Sequence, residues 1–162
     1  MELVDWLAIG VLGAALLAVF TALRRRTKIK KAKDRRRIAV DGTNVMFWHD
    51  NRAKLATLKK VVTDLRRRGY DPVVFLDASS RHHIGDRSFD EGKFASALDL
   101  ARNRIMVCPA RTEADEFILK FARQERLAIV SNDRFRDRPR AARNIRLIRG
   151  RVDGDRTILK GL

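Results

Sequence analysis

The sequence predicts an α/β domain in which a central, mostly parallel sheet carries helices on both faces. Short continuous apolar runs, such as residues 73–76 (VVFL), are typical of strands that are buried on both faces. Between these runs lie stretches with apolar residues at helical spacing, such as residues 51–68. The alternation of the two patterns predicts a three-layer α/β/α arrangement.

The predicted elements follow one another from residue 38 onward. Apolar runs predict five strands at residues 38–40, 73–76, 105–107, 127–130 and 145–148. Helical spacing and capping residues predict three helices at residues 51–68, 90–102 and 112–122. The polar residues 78–88 predict a loop, and residues 152–155 (VDGD) predict a turn.

The charge of the chain is strongly positive and unevenly distributed. Lys and Arg number 36 and Asp and Glu number 20, which gives a formal net charge of +16. Residues 24–37 (RRRTKIKKAKDRRR) carry ten of the basic residues. Such an excess predicts attraction to polyanions, either nucleic acid or an anionic membrane surface. The single cysteine, Cys108, excludes an internal disulfide and is interpreted as a buried apolar residue.

Residues 6–23 form an uncharged apolar run of 18 residues at the start of the chain. A helix needs about 20 apolar residues to cross a bilayer, and Leu3 and Val4 extend the run to that length. The acidic front (Glu2, Asp5) and the arginines behind the run reverse the charge order of a cleaved signal peptide. We therefore predict an uncleaved single-pass anchor in the inner or plasma membrane, with the following domain in the cytoplasm.

The predicted organisation has three parts: a transmembrane anchor at 1–23, a basic juxtamembrane linker at 24–37 and a catalytic domain at 38–162. Two interpretations of the linker stay open. It binds anionic lipid headgroups, or it gathers RNA.

Several carboxylates are expected at one edge of the sheet. Asp41, Asp77 and Asp133 follow the ends of predicted strands, and Asp115 begins a predicted helix. Asp137 follows Asp133 by four residues. Ligands bind beyond the carboxyl ends of parallel strands, and clustered carboxylates repel one another unless a cation neutralises them. Oxygen ligands of this kind suit Mg²⁺ or Mn²⁺, although a single Asp at such a position is often only a cap or turn residue.

Three motifs resemble those of NYN/PIN-like ribonucleases, particularly the Regnase (MCPIP-type) branch. They are residues 40–45 (VDGTNV), 114–118 (ADEFI) and 130–137 (VSNDRFRD). The resemblance covers residues 38–137 and implies a Rossmann-like PIN/NYN domain that acts as a metal-dependent endoribonuclease. It also leads us to expect homodimers.

The resemblance implies roles for individual residues. Asp41, Asp115, Asp133 and Asp137 match the acidic metal-binding set, which would hold Mg²⁺ or Mn²⁺ and activate the attacking water. Asn44 matches an active-site Asn that orients the first Asp or contacts the scissile phosphate. One departure is Ala114, because the Regnase branch usually has a second Asp at that position.

Basic and aromatic residues near these motifs are candidates for contact with RNA. The loop after the fourth strand is interpreted as binding phosphates of the RNA backbone, and the alternative interpretation is an ordinary solvent-exposed loop. Its basic residues are Arg134, Arg136, Arg138, Arg140 and Arg143. Arg81, His82 and His83 follow the second strand at the same edge, and His49 follows the first motif. Phe47 and Trp48 are expected to be buried rather than to stack on a base.

Three functions stay open. The first is an endoribonuclease. A toxin of a toxin–antitoxin pair is a variant of this function, but a membrane anchor disfavours it. The second is a structure-specific DNA nuclease, because related PIN-like folds cut DNA. The third is a non-catalytic, membrane-tethered RNA-binding module, which the clustered carboxylates disfavour because they would repel phosphates.

Overall fold

A computed structural model describes residues 36–109 and 114–162, which form one six-stranded sheet flanked by helices. The strands are β1 (Arg36–Asp41), β2 (Tyr70–Leu76), β3 (Ile105–Val107), β4 (Ile129–Val130), β5 (Leu147–Asp153) and β6 (Arg156–Lys160). Their order in the sheet is β3-β2-β1-β4-β5-β6. Neighbours from β3 to β5 pair in parallel and β6 pairs antiparallel to β5, which confirms the mostly parallel sheet.

Helices cover both faces of this sheet. They are α1 (Gly42–Met46), α2 (Leu55–Arg67), α3 (Ser80–His83), α4 (Glu91–Leu98), α5 (Ala114–Glu125) and α6 (Pro139–Ala142), with a 3₁₀ turn at Arg102–Arg104. Successive strand residues point to opposite faces. Val40 therefore packs in one buried cluster with Leu58 of α2, whereas Ala39 packs in the other with Ile118 of α5. The predicted three-layer arrangement is confirmed.

Helix α2 shows how the sequence pattern produces this packing. Leu58, Val61, Val62 and Leu65 are fully buried and recur at the spacing of one helix face. Burial of each such side chain contributes about 1.5–3 kcal/mol. The helix ends before Gly69, whose φ of +84° is a left-handed conformation that other residues adopt at a cost.

Two predicted helix boundaries are wrong for local backbone reasons. The helix predicted at 51–68 begins only at Leu55, because Asp50 and Asn51 both have positive φ angles and form a turn. The helix predicted at 90–102 ends at Leu98, because Asp99 adopts a left-handed conformation with φ of +54°.

Short or edge elements account for the other differences. The segment predicted as a loop at 78–88 contains helix α3, and α1 was not predicted. The fifth strand lies at Leu147–Asp153 rather than 145–148, and it forms a hairpin with β6 around Gly154. The third predicted helix is observed as Ala114–Glu125, and its proposed cap, Thr112, lies outside the described residues.

The predicted anchor at 1–23 and most of the linker, residues 24–35, also lie outside the described residues. Arg36 and Arg37 of the predicted linker form the beginning of β1. In the described part of the chain, every helix is too short or too polar to cross a membrane.

Candidate active site

The candidate site lies where β1 and β4 are neighbours in the sheet. The chain runs outward from β1 through β2 to β3, and then returns to place β4 on the other side of β1. A reversal of strand order of this kind opens a crevice at the carboxyl ends of the two strands, and ligands of parallel α/β proteins bind there. Asp41 is the last residue of β1, and Ser131 directly follows β4.

Asp41 is held by two hydrogen bonds at this crevice. Its Oδ1 accepts a bond of 3.1 Å from the backbone N–H of Asn44, so Asp41 is the N-cap of α1. Its Oδ2 accepts a bond of 2.8 Å from the hydroxyl of Ser131, which ties the ends of β1 and β4 together. Burial and, to a smaller extent, the negative charges of Asp77 and Asp133 nevertheless raise the pKa of Asp41 to about 6.

Asp115 experiences the same electrostatic field from the first turn of α5. Its pKa is raised to about 6, first by burial and then by the charges of neighbouring carboxylates, which are Asp41, Asp133, Asp77 and Asp137. Asp115 therefore experiences the charges of the other three acids that the family motifs nominate, and Asp77 belongs to the same group. None of Asp41, Asp77, Asp115 and Asp133 forms an ion pair with another described residue.

These carboxylates influence one another by electrostatic repulsion over some distance, and they do not form a compact set of metal ligands. Among residues 36–109 and 114–162, no group of three or more His, Cys, Asp and Glu side chains is close enough to hold a metal ion. The carboxylates of Asp41 and Asp115 are thus partly buried and lack a neutralising partner in this part of the chain.

The loop after β4 positions Asp133. Ser131 is fully buried, and its hydroxyl accepts a bond of 3.0 Å from the backbone N–H of Asp133. The Oδ1 of Asp133 accepts a bond of 2.8 Å from the N–H of Phe135. Phe135 is itself fully buried in the cluster beneath α5, although its φ of +49° is unusual for an aromatic residue. Burial of this ring stabilises the loop in one conformation.

Asn44 braces the site through its side chain. Its Oδ1 accepts hydrogen bonds from the indole Nε1 of Trp48 at 2.9 Å and from the backbone N–H of Asn132 at 3.0 Å. The amide of Asn132 in turn bonds to both the N–H and the C=O of Gly150 in β5, at 3.0 and 2.9 Å. Asn44 therefore links α1, the loop after β4 and the β5–β6 hairpin, while its backbone orients Asp41. A contact of Asn44 with the scissile phosphate stays a prediction.

Trp48 and Gly150 fit closely against each other in this network. Trp48 is buried, which confirms the expectation for this ring. A Cβ atom at position 150 would lie 2.5 Å from Cζ3 of Trp48 and would also meet the carbonyl of Ile158. Only glycine fits at this position without displacing the hairpin or the indole.

Asp77 is positioned by hydroxyl groups. Its backbone N–H donates to Oγ1 of Thr43 at 2.9 Å, and this oxygen lies 2.8 Å from the hydroxyl of the buried Ser80. Helices α1 and α3 are joined through this pair. The short helix α3 thus fixes the end of β2 next to Asp41.

Five of the predicted RNA-contact residues lie at the same end of the sheet, namely Arg81, His82, Arg134, Arg136 and Arg138. The prediction is wrong for Arg143 of the same loop, because the chain has by then returned to the opposite end of the sheet, where Arg143 lines a cleft beside the beginning of β4. Arg134 and Arg136 are exposed, and the guanidinium Nε of Arg138 lies 3.5 Å from Oδ2 of Asp137. Arg81 and His82 belong to α3, where Nε of Arg81 donates to the carbonyl of Ala78.

Three further candidates for RNA contact, His49, Phe47 and His83, contact other parts of the protein. Nδ1 of His49 lies 3.1 Å from the carbonyl oxygen of Val152, which ties this side chain to the hairpin. The rings of Phe47 and His83 meet edge to face, with their centroids 5.4 Å apart.

A basic groove next to Asn132 was not predicted from the sequence. It has a volume of about 300 Å³ and is lined by Asn132, Arg149, Gly150, Arg151, Ile158 and Lys160. Arg149 and Lys160 are direct partners across β5 and β6. The sequence signal for this groove is that basic residues alternate with apolar or small ones in residues 149–152 (RGRV). This alternation indicates a basic face of the hairpin only once the pairing of β5 with β6 is recognised.

Two solved structures of nuclear proteinaceous RNase P 2 from Arabidopsis thaliana share this fold. One is 16% identical with a TM-score of 0.59 and covers 92% of this chain and 36% of that chain. The other is 16% identical with a TM-score of 0.56 and covers 99% of this chain and 37% of that chain. The protein therefore spans little more than a third of these relatives, and at this identity the likeness concerns the fold.

The sequence itself matches a described family. No curated protein matches the chain, but the family described as "Zc3h12a-like Ribonuclease NYN domain" matches residues 34–152. This match includes β1 to β4, all of β5 except its last residue, and each of the acids at the crevice. The chain therefore belongs to the Zc3h12a-like ribonuclease NYN domain family.

Proposed function

We propose that the protein is a metal-dependent endoribonuclease that cleaves RNA at the carboxyl end of its sheet. The observation that supports this most is the raised pKa of Asp41 and Asp115, each about 6, in a crevice without a cationic partner from the described residues. A protein that keeps several partly buried carboxylates facing one another pays a cost in stability. Such a cost is understandable where the site performs chemistry.

The residues of the crevice suit a divalent cation. Carboxylate oxygens are the preferred ligands of Mg²⁺ and Mn²⁺, and a cation would offset both the burial of these charges and the repulsion between them, which together raise the two pKa values. Among the described residues the carboxylates are not close enough to hold an ion directly as a group, so binding would have to proceed partly through the waters that Mg²⁺ usually retains. The residues that would hold the ion, directly or through water, are Asp41, Asp115, Asp133 and Asp137. The chemistry supplied by a bound ion is activation of water and neutralisation of charge on the phosphate.

The protein's own groups prepare the site for this chemistry. The N–H of Asn44 and the hydroxyl of Ser131 stabilise the ionised form of Asp41, the form that binds a cation. The backbone N–H of Phe135 donates a hydrogen bond that orients the Asp133 carboxylate. Both carboxylates are therefore oriented before substrate arrives, which reduces the reorganisation needed during reaction.

Basic side chains on either side of the crevice would bind the RNA backbone. Arg134 and Arg136 are exposed on one side, and the groove containing Arg149, Arg151 and Lys160 lies beside Asn132. Phosphate contacts of this kind position nucleic acid without reading its sequence. We therefore expect cleavage with limited sequence preference and a strong dependence on salt.

Residues 1–23 are proposed to anchor the protein in a membrane, with the nuclease domain in the cytoplasm. The support is the uncharged run of residues 6–23 followed by Arg24, Arg25 and Arg26. Membership of the Regnase branch and formation of homodimers stay predictions.

The decisive experiment is cleavage of mixed single-stranded RNA by the full chain in detergent. We expect cleavage with Mn²⁺ or Mg²⁺, products with 5′-phosphate ends, and complete loss with EDTA. Asp41→Asn should lose cleavage, and Asp155→Asn should retain it. Asp155 is an exposed acid that pairs with Lys60, so its replacement removes the same charge without touching the crevice.

The outcomes separate the competing functions. Full activity of a folded Asp41→Asn protein, or activity that persists in EDTA, would refute the proposed site. Matched DNA oligonucleotides with single-stranded flaps test the alternative substrate. Faster cleavage of these flaps than of RNA would identify DNA as the substrate. Tight RNA binding without cleavage under all metal conditions would identify a binding module instead.

A further inference from the structure

The amino end of the sheet, opposite the candidate active site, carries an arginine-rich surface. A cleft of about 510 Å³ lies between α5 and the segment before β5, and a second of about 300 Å³ adjoins it at the start of β1. The arginines that line the two clefts are Arg36, Arg37, Arg123, Arg126, Arg143 and Arg146. We name this set the amino-end surface.

Protein contacts account for only some of these charges. Arg37 pairs with Glu125, a guanidinium nitrogen of Arg123 donates to the carbonyl of Arg140, and Arg36 lies over the ring of Tyr70 at 5.0 Å. Within the described residues, Arg126, Arg143 and Arg146 form no ion pair. Three exposed guanidinium groups around open clefts favour an external anion, because arginine forms paired hydrogen bonds with phosphate.

We propose that the amino-end surface binds the anionic headgroups of the membrane and directs the active-site crevice away from the bilayer. This inference depends on the membrane anchor proposed above. The described domain begins with Arg36, which is part of this surface. Residues 24–35 connect it to the apolar run, and twelve residues reach at most about 40 Å. Each basic residue near an anionic surface adds to the attraction between the protein and that surface, and the tether reinforces this by raising the local lipid concentration.

The features of the surface favour lipid over RNA. Sites for single-stranded RNA usually combine basic residues with exposed aromatic rings on which bases stack. The one aromatic ring in these clefts, Tyr70, is buried beneath Arg36. The surface also lies about 20 Å from the crevice, the length of the six-residue strand β1. Headgroups require neither stacking nor access to the crevice.

The test uses the full chain in vesicles and a fluorophore on an introduced cysteine. Asn144→Cys places the fluorophore in the larger cleft, and Ser79→Cys places it at the opposite end of the sheet. The native Cys108 is buried and should not react. Vesicles consist of phosphatidylcholine with or without phosphatidylglycerol, plus a lipid with a nitroxide on its headgroup. We expect at least about twofold stronger quenching at position 144 when phosphatidylglycerol is present, and no change at position 79.

Charge substitutions identify the groups responsible. The triple variant Arg126→Gln, Arg143→Gln, Arg146→Gln should lose the extra quenching. A matched variant, Arg52→Gln, Arg87→Gln, Arg156→Gln, removes three exposed charges elsewhere and should retain it. Circular dichroism checks that both variants are folded. Quenching at position 144 that ignores phosphatidylglycerol, or that survives in the first variant, overturns the inference.

Two further measurements separate this inference from the proposals on which it depends. Flotation with neutral vesicles after a carbonate wash tests the anchor, so a chain that floats but shows no lipid-dependent quenching refutes the amino-end surface alone. RNA cleavage by the first triple variant in neutral vesicles should keep its KM. A KM raised tenfold or more would make RNA the ligand of these arginines and overturn the assignment to lipid.

Discussion

The two ends of the sheet differ in charge, in burial and in what their charged groups contact. At the carboxyl end, Asp41 and Asp115 are partly or largely buried, repel their neighbours and have pKa values raised to about 6. At the amino end, arginines such as Arg143 and Arg146 are exposed around open clefts. The comparison indicates that the acids are costly to the fold, a cost that the proposed chemistry would explain, whereas the arginines cost little and suit the proposed binding of anions.

The largest effect is expected from removing an acid at the carboxyl end. Asp115→Asn should lower kcat by about 100- to 1,000-fold, equivalent to about 3–4 kcal/mol, because a ligand and its charge are lost. Arg146→Gln at the amino end, measured with soluble RNA in detergent, should change kcat less than twofold. Single-turnover cleavage by both variants checks this. Equal losses of kcat in the two variants would contradict the proposed functional difference between the two ends of the sheet.

The next effect concerns the network around Asn44. Asn44→Ala leaves the indole N–H of Trp48 and the backbone N–H of Asn132 without their acceptor. Loss of the acceptor for one part-buried donor and one exposed donor should lower the free energy of unfolding by about 1–3 kcal/mol. Urea unfolding measures the change, with Asn103→Ala as the control because Asn103 is exposed. A change below about 0.5 kcal/mol would show that the loop after β4 is not braced in this way.

A pH-dependent effect tests the cost of the buried acid. The pKa of Asp41 is about 6 in the folded protein, whereas the ordinary value for an Asp side chain in an unfolded chain is 3.8. The folded state thus binds the proton more tightly, and stability falls as the pH rises from about 4 to about 6. Asp41→Asn removes this penalty and should stabilise the metal-free protein by about 1–3 kcal/mol at pH 7.5.

The check is urea unfolding in EDTA at several pH values. The gain from Asp41→Asn should shrink as the pH falls through 6 and vanish near pH 4. A loss of stability at pH 7.5, or a gain that is independent of pH, would mean that the ionised carboxylate is not penalised by the fold.

The smallest effect is expected at the amino end. Arg37 and Glu125 form an ion pair whose side chains are 44% and 38% exposed, so solvent screens it. Arg37→Ala should therefore lower the free energy of unfolding by less than about 1 kcal/mol. Denaturant unfolding at low and high salt checks this value. A cost above about 2 kcal/mol would give these arginines a structural role and weaken the contrast between the two ends.

The sequence indicated the strands and the acids because both have local signals. Apolar runs define β1 and β2, and Asp41, Asp77 and Asp133 follow strand ends in the chain itself. Parallel strands bring their carboxyl ends to one edge, so the convergence of these side chains follows from fold class.

The remaining features depend on contacts between distant segments. Helix α1 has five residues, too few to show helical periodicity. The bonds from Asn44 to Asn132 and from Ser131 to Asp41 join residues about 90 positions apart, and no local pattern marks them. Asp99 and Asn51 adopt left-handed conformations that propensity alone does not assign.

The paired bonds between the Asn132 amide and Gly150 repeat the donor and acceptor pattern of a β-ladder. One side chain therefore adds a rung to the sheet beyond β4, a strand of only two residues. Consequently, the loop bearing Asp133 is supported not only by the buried Phe135 but also by a hairpin that contributes none of the acids at the crevice. Changes that loosen β6 should reach the crevice through this rung, and slower hydrogen exchange at the amide of Gly150 than at neighbouring hairpin amides would report its strength.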